Sequence, residues 1–192
     1  MADPAKKKAS YEDLFDIPEN MIGEIINGEL IATPRPSPKH VFSASVLGAK
    51  LVPPYQFGEG GGPGGWIILH EIELGLGENT IVPDLAGWRK ERFPEKLETN
   101  WIEVVPDWVC EVLSPRTALR DRTDKMKIFA DHKVGWVWLI DPLNRTLEVF
   151  GLKTDTLVPV AVFGGKAKAR IEPFQEIEID LSHLWLEEPG QE

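Results

Sequence analysis

With a single cysteine, Cys110, no internal disulfide can form. That residue lies inside an apolar run, WVCEV, where a small buried hydrophobe is expected rather than a nucleophile. Cysteine and histidine nowhere cluster at ligand spacing, so a zinc site is not indicated. No apolar run approaches the ~20 residues that span a bilayer, and the opening MADPAKKKA has no apolar stretch of the signal-peptide kind. A cytoplasmic setting with no membrane partner is therefore expected. Basic residues are in deficit: 21 Lys and Arg face 31 Asp and Glu, a net charge of -10. This counts against a nucleic-acid coat protein, which carries a basic footprint, but suits clustered acids around a cation. The one low-complexity stretch, GEGGGPGG at 58–65, lacks the lysine and hydroxyl residue of a P-loop and is expected to be a flexible surface loop. No internal repeat is visible.

A hydrophobic content of 42% beside 27% charged residues is that of a globular chain, and the length predicts one domain. We place it at 10–186, with tails at 1–9 and 187–192. Ser10 caps a short helix ending near Phe15. MIGEIINGELIA places Asn27–Gly28 between two apolar runs, the signature of a two-residue β-hairpin. Ser37–Pro38 opens a helix whose small-residue stripe is Val41, Ala44, Ser45, Leu47, Gly48 and Leu51, ending at Pro53–Pro54. Strands are expected at 66–74, 80–88 and 104–113, with a loop at 89–100. Ser114–Pro115 opens a helix to about residue 132, buried through Leu119, Met126, Phe129 and Ala130. The apolar 135–140 reads as a central strand covered on both faces. Strands at 147–150 and 157–163 follow, then a closing helical turn at 180–186 whose Trp185 packs on the body.

Two of these runs, IVPDLAGW and VVPDWVCEVLSP, each bring a carboxylate to a strand end: Asp84 and Glu111. An acid at the end of an apolar run is unusual. Mg²⁺ prefers oxygen ligands and is held by one or two carboxylates with waters retained, Mn²⁺ being the alternative ion. Asp84 and Glu111 supply that set if their strands are neighbours, and the Val112 backbone carbonyl adds an oxygen. Lys125, at the edge of the following helix's buried stripe, can run its stem along the core boundary towards them. Such a set activates water and counters the charge on a phosphoryl transition state. Glu24 on the hairpin and His40 in the first long helix are further candidates. The plainer alternative keeps both Pro-Asp dipeptides as turns, Glu111 paired with Arg116 or Arg120, and Lys125 on the surface.

The order Pro83-Asp84, Glu111-Val112-Leu113-Ser114-Pro115, Asp121, Lys125, Phe129 and Val134-Gly135-Trp136-Val137-Trp138-Leu139-Ile140-Asp141-Pro142 resembles the Uma2 family of restriction-endonuclease-like proteins, within the PD-(D/E)XK nuclease superfamily. The amino-terminal part is similar as well: Tyr11-Glu12-Asp13-Leu14, Pro18, Glu24 through Leu30, and His40. The resemblance covers roughly 10–186. It implies an α/β fold, a restriction-endonuclease-like mixed β-sheet flanked by helices with an N-terminal β-hairpin. It also implies Mg²⁺-dependent cleavage of DNA and a homodimer. By position, Asp84 and Glu111 become metal ligands and Lys125 the catalytic lysine, with Asp121 a further candidate. The superfamily's lysine two residues after the glutamate is Leu113 here, so Lys125 is its replacement. Lys127, about 200° further round the helix, is the fallback. Phe129 and Trp138 stand where tyrosines are usual. Besides the endonuclease, two readings remain open: a catalytically silent nuclease-fold module that binds DNA or a partner protein, and an α/β domain whose acids are structural.

Overall fold

The computed structural model describes residues 8–187. Most of both expected tails, 1–7 and 188–192, lies outside the described residues. Lys8 and Ala9, expected in the tail, are tied to the body. The Ala9 N–H donates to the Gly28 carbonyl at 2.9 Å and Lys8 pairs with Glu78. Among the described residues no helix is long and apolar enough to cross a membrane.

The strands run β1 (Met21–Ile26), β2 (Glu29–Pro34), β3 (Trp66–His70), β4 (Glu73–Leu76), β5 (Asn79–Ile81), β6 (Leu85–Arg89), β7 (Trp101–Ile102), β8 (Trp108–Val112), β9 (Trp136–Asp141), β10 (Thr146–Lys153), β11 (Thr156–Gly164), β12 (Lys168–Ile171) and β13 (Phe174–Asp180). They form a five-stranded sheet, β2-β1-β5-β4-β7, a six-stranded sheet, β11-β10-β9-β8-β6-β3, and the β12–β13 pair. Helix α1 is Pro38–Leu51. Helices α2 (Ala118–Arg120) and α3 (Met126–Asp131) are joined by a π-helical turn, Asp121–Lys125.

The expected hairpin is β1–β2: Asn27 and Gly28 take the positive φ of 54° and 79° that its turn requires. Two expected single strands are each split. Residues 66–74 divide at Glu71, whose φ of 46° turns the chain out of the six-stranded sheet into the five-stranded one. Residues 80–88 divide at Pro83–Asp84, where the chain returns. A proline lacks the N–H that would continue a ladder, so the break falls there and leaves Asp84 at the mouth of β6. Pro106 likewise separates β7 from β8. At α1, Pro53–Pro54 does not end the helical path. The missing N–H groups widen it into a π turn, Val52–Gln56.

The six-stranded sheet is central, with β8 and β9 parallel and linked through α2–α3. One face meets α1 and the β12–β13 hairpin. There Phe174 lies 4.7–5.7 Å from the rings of Tyr55, Trp66, Trp108 and Trp138. The other face packs on the five-stranded sheet and α3 through Leu74, Ile81, Val109, Phe129, Val137 and Leu139. Phe129 and Trp138 are fully buried, as expected of core residues, and so is Cys110. Helix α1 buries Ser43, Leu47, Gly48 and Leu51, while Val41 and Ser45 of the expected stripe are exposed.

The same kind of correction applies to Leu119, which is 77% exposed instead of buried. A π turn holds an extra residue, so positions before it rotate relative to those after it. Ala118 therefore packs on the core in place of Leu119, while Ile128, Phe129 and Ala130 keep the buried side.

Candidate functional site

The ladder between β6 and β8 brings the two acids together. Leu85 is the register partner of Cys110 in this antiparallel pair. The residue before the one, Asp84, thus stands across from the residue after the other, Glu111. Beyond that point β6 has ended, and its place against β8 is taken by a side chain: Asp84 Oδ2 accepts the Val112 N–H at 2.6 Å. In an extended strand a residue's N–H and C=O share an edge, so the Val112 carbonyl faces the same side. The other Asp84 oxygen lies 2.5 Å from His40 Nε2, delivered by the first turn of α1. His40 Nδ1 is buried without a hydrogen-bond partner among the described residues.

Lys125 arrives from the π turn, which directs both it and Asp121 inward; each is almost fully buried. Its ammonium lies 2.8 Å from Glu24 Oε1, 3.1 Å from Glu111 Oε1 and 3.5 Å from Asp121 Oδ1. Glu24 Oε1 also accepts the Val82 N–H at 3.0 Å, fixing β1 to the segment that leads to Asp84. All six candidate side chains, with Val112, line one cleft of about 70 Å³, room for a cation with a few waters. The plainer pairings are not found. Glu111 meets Lys125 rather than Arg116 or Arg120, and Lys127 pairs in solvent with Asp131. Leu113 is buried in the core, so the position that carries the superfamily's lysine offers no cation here.

Charge is out of balance in this cleft. Four carboxylates, Glu24, Asp84, Glu111 and Asp121, face one ammonium and one imidazole. Burial pushes the Glu111 carboxyl well above the usual range; Lys125 opposes this, and Asp121, Asp84 and Glu24 add to it. Burial also raises Asp121, against Lys125 and a hydrogen bond from Thr117. Burial alone would depress the Lys125 ammonium, but Glu111, Glu24 and Asp121 outweigh it and hold its pKa well above that of an ordinary lysine. No group of three or more His, Cys, Asp or Glu among the described residues forms a ready-made cage. Mg²⁺ does not need one, since it keeps several waters. The surplus of buried negative charge and the all-oxygen donors of Asp84, Glu111 and Val112 fit a hard divalent cation.

Sequence reasoning missed the cleft's other wall. Thr33, Pro34 and Pro36, from the end of β2 and the link to α1, line it together with Ser114 and Thr117. The proline run 34–38 was the available signal, since it stiffens the link that carries His40 to Asp84.

Residues 10–182 match the Uma2 family, described as "Putative restriction endonuclease". Among solved structures, the fold is similar to that of a protein from Anabaena variabilis described as a "putative nuclease belonging to DUF820". The two are 23% identical, with 91% of this chain and 96% of that one covered and a TM-score of 0.73. No curated protein matches the chain.

Proposed function

The chain belongs to the Uma2 family of putative restriction endonucleases, and from that premise we propose a Mg²⁺-dependent endonuclease that hydrolyses DNA phosphodiester bonds, in one domain spanning 10–186. The observation that carries the reading is the convergence of Asp84, Glu111 and Lys125 in one buried, over-acidic cleft at the β6–β8 end. Asp84, Glu111 and the Val112 carbonyl would hold the ion, with Mn²⁺ as a substitute. Once bound, such a cation neutralises the phosphate, lowers the pKa of a water and steadies the leaving oxygen.

The chain's own residues do the rest. His40 and the Val112 N–H grip the two oxygens of Asp84, so that carboxylate is oriented before any ligand arrives. Lys125 has three N–H donors and three carboxylate neighbours; Asp121, at 3.5 Å, is the loosest. The proton facing Asp121 is the one free to turn to the attacking water or a phosphoryl oxygen, while Glu24 and Glu111 keep the amine in place. A homodimer would present two such clefts to the two strands of a duplex, a state light scattering reads directly.

The test is nicking of supercoiled plasmid with Mg²⁺ or Mn²⁺ by wild type, Asp84→Ala and Lys125→Met. Wild-type nicking lost in both variants supports the reading. Equal nicking by Asp84→Ala, or none by wild type with either ion, contradicts it. DNA binding with no nicking would instead describe a silent binding module.

A further inference from the structure

Asp84 and His40 stand between two hollows. The cleft described above is one. The other, of about 170 Å³, shares Pro36, His40 and Asp84 with it. Its long wall is one face of α1, where Val41, Ala44 and Ser45 follow one another at helical spacing. Val41 and Ser45, exposed although they belong to the small-residue stripe, front this space. His70, also in the lining, lies over Gly48, one turn further along the same face: a Cβ at Gly48 would fall 2.3 Å from His70 Nε2. A glycine there is what lets the imidazole rest on the helix.

Size divides the two spaces. A cavity of about 150 Å³ takes a benzene ring. The second hollow, at about 170 Å³, therefore has room for a single-ring base, and the cleft, at about 70 Å³, does not. Charge divides them as well. None of the described residues lining the hollow is a lysine or arginine, and Asp84 and Glu71 put two carboxylates on it, so it repels a second phosphate. Arg35, which pairs with Glu71 at 3.6 Å, is not part of the lining. Val41 and Ala44 offer apolar surface, and His40 and His70 offer imidazoles on which a base can stack. Ser45 and Glu71 supply polar atoms for its edge, a carboxylate being the natural acceptor for the amine of cytosine. Phosphate on one side of an Asp–His pair and a ring on the other match the two ends of one nucleotide. A base stacked inside a duplex has to leave the stack to reach such a place.

We infer that this second hollow takes the nucleobase next to the scissile phosphate, so that the substrate is a DNA strand whose base at that point is unpaired or extruded. The inference rests on the nuclease reading above and names the substrate class of that site. A strand that is merely flexible would satisfy the cleft alone; the hollow asks for the base itself.

The experiment is fluorescence anisotropy in Mg²⁺ with the full chain carrying Glu111→Gln, which leaves the DNA uncut. Three labelled duplexes are compared: one fully paired, one with a short mismatched run, and one with abasic sites through that run. The mismatched duplex should bind about tenfold tighter than the abasic one, the contribution of one stacked base. It should also bind tighter than the paired duplex, which must first give up stacking. Ser45→Phe fills the hollow from an exposed position and should bring the mismatched and abasic affinities to parity. Val41→Phe, on the same wall, should do the same. Melting temperatures of both variants, expected within about 2 °C of the parent as for surface changes, check that they fold. Equal binding of mismatched and abasic duplexes by the parent overturns the inference. So does a mismatched duplex bound no tighter than the paired one, a preference that survives both filled variants, or a parent that binds none of the three. The nuclease reading is scored apart by Asp84-dependent nicking of plasmid, which none of these results alters.

Discussion

Replacing Lys125 with methionine keeps the volume of the side chain but removes the ammonium set among Glu24, Glu111 and Asp121. Three carboxylates with almost no solvent access then lose their shared cation. Breaking a buried ion pair by deleting one partner costs about 3–5 kcal/mol. For a chain of this size about 1 kcal/mol moves Tm by about 2–4 °C, so Lys125→Met should melt roughly 6–20 °C below wild type at pH 8. The sign with pH follows from the carboxyls. Burial has already raised Glu111 and Asp121, so they take up protons early as pH falls. Once they are neutral, little charge remains for Lys125 to compensate, and the gap should close towards pH 4. Millimolar Mg²⁺ should narrow it at pH 8 by supplying the missing positive charge. Paired thermal melts at pH 8 and pH 4, with and without Mg²⁺, read all three effects. A gap below about 2 °C at pH 8, or one equal at both pH values, would refute the reasoning.

Other consequences follow from the same geometry. Glu111→Gln should be inactive in plasmid nicking yet about 1 kcal/mol more stable than the metal-free wild type at pH 8. A carboxyl raised in the folded state favours folding below its unfolded pKa of about 4.3 and loses that contribution as pH rises, whereas Gln stays neutral, so the two melts should converge near pH 4. Asp84→Ala leaves the buried Val112 N–H unpaired and should cost about 1–3 kcal/mol by urea titration, besides abolishing nicking. Gly62→Ala would place a Cβ 2.3 Å from the Pro54 carbonyl oxygen and 2.4 Å from its Cα, and should lower stability by about 1–3 kcal/mol although it lies in a surface loop. Phe174→Ala removes the ring at the centre of the aromatic cluster and should cost about 3–5 kcal/mol in the same titration.

Much of the fold was legible because its signals are local. Asn27–Gly28 specified its turn, Ser37–Pro38 its helix start, and Pro83 and Pro106 interrupted apolar runs where strands end. The convergence of Asp84 and Glu111 has a local sign as well: both acids border an apolar run, Asp84 ahead of β6 and Glu111 near the end of β8, and an antiparallel pair sets the start of one strand beside the end of the other. What escaped notice depended on tertiary geometry. Nothing in DRTDK announces a π turn, so a regular wheel placed Leu119 in the core. The split of 66–74 turns on a positive φ at Glu71, a residue type with no preference for it. The β12–β13 hairpin carried no reading because its two strands bury only Ile171, Phe174 and Ile179, too sparse an apolar pattern to mark them. The Gly-rich loop, expected to be flexible, is held by the Gly64 N–H on the Pro54 carbonyl at 2.9 Å.

The central claim is that Asp84 and Glu111 share a divalent cation. Anomalous diffraction from crystals soaked in Mn²⁺ tests it most directly. A peak within coordination distance of both carboxylates and the Val112 carbonyl, absent from Asp84→Ala crystals, is the predicted result. Full soaking with no peak between those two side chains, or a peak unchanged in Asp84→Ala, would contradict it.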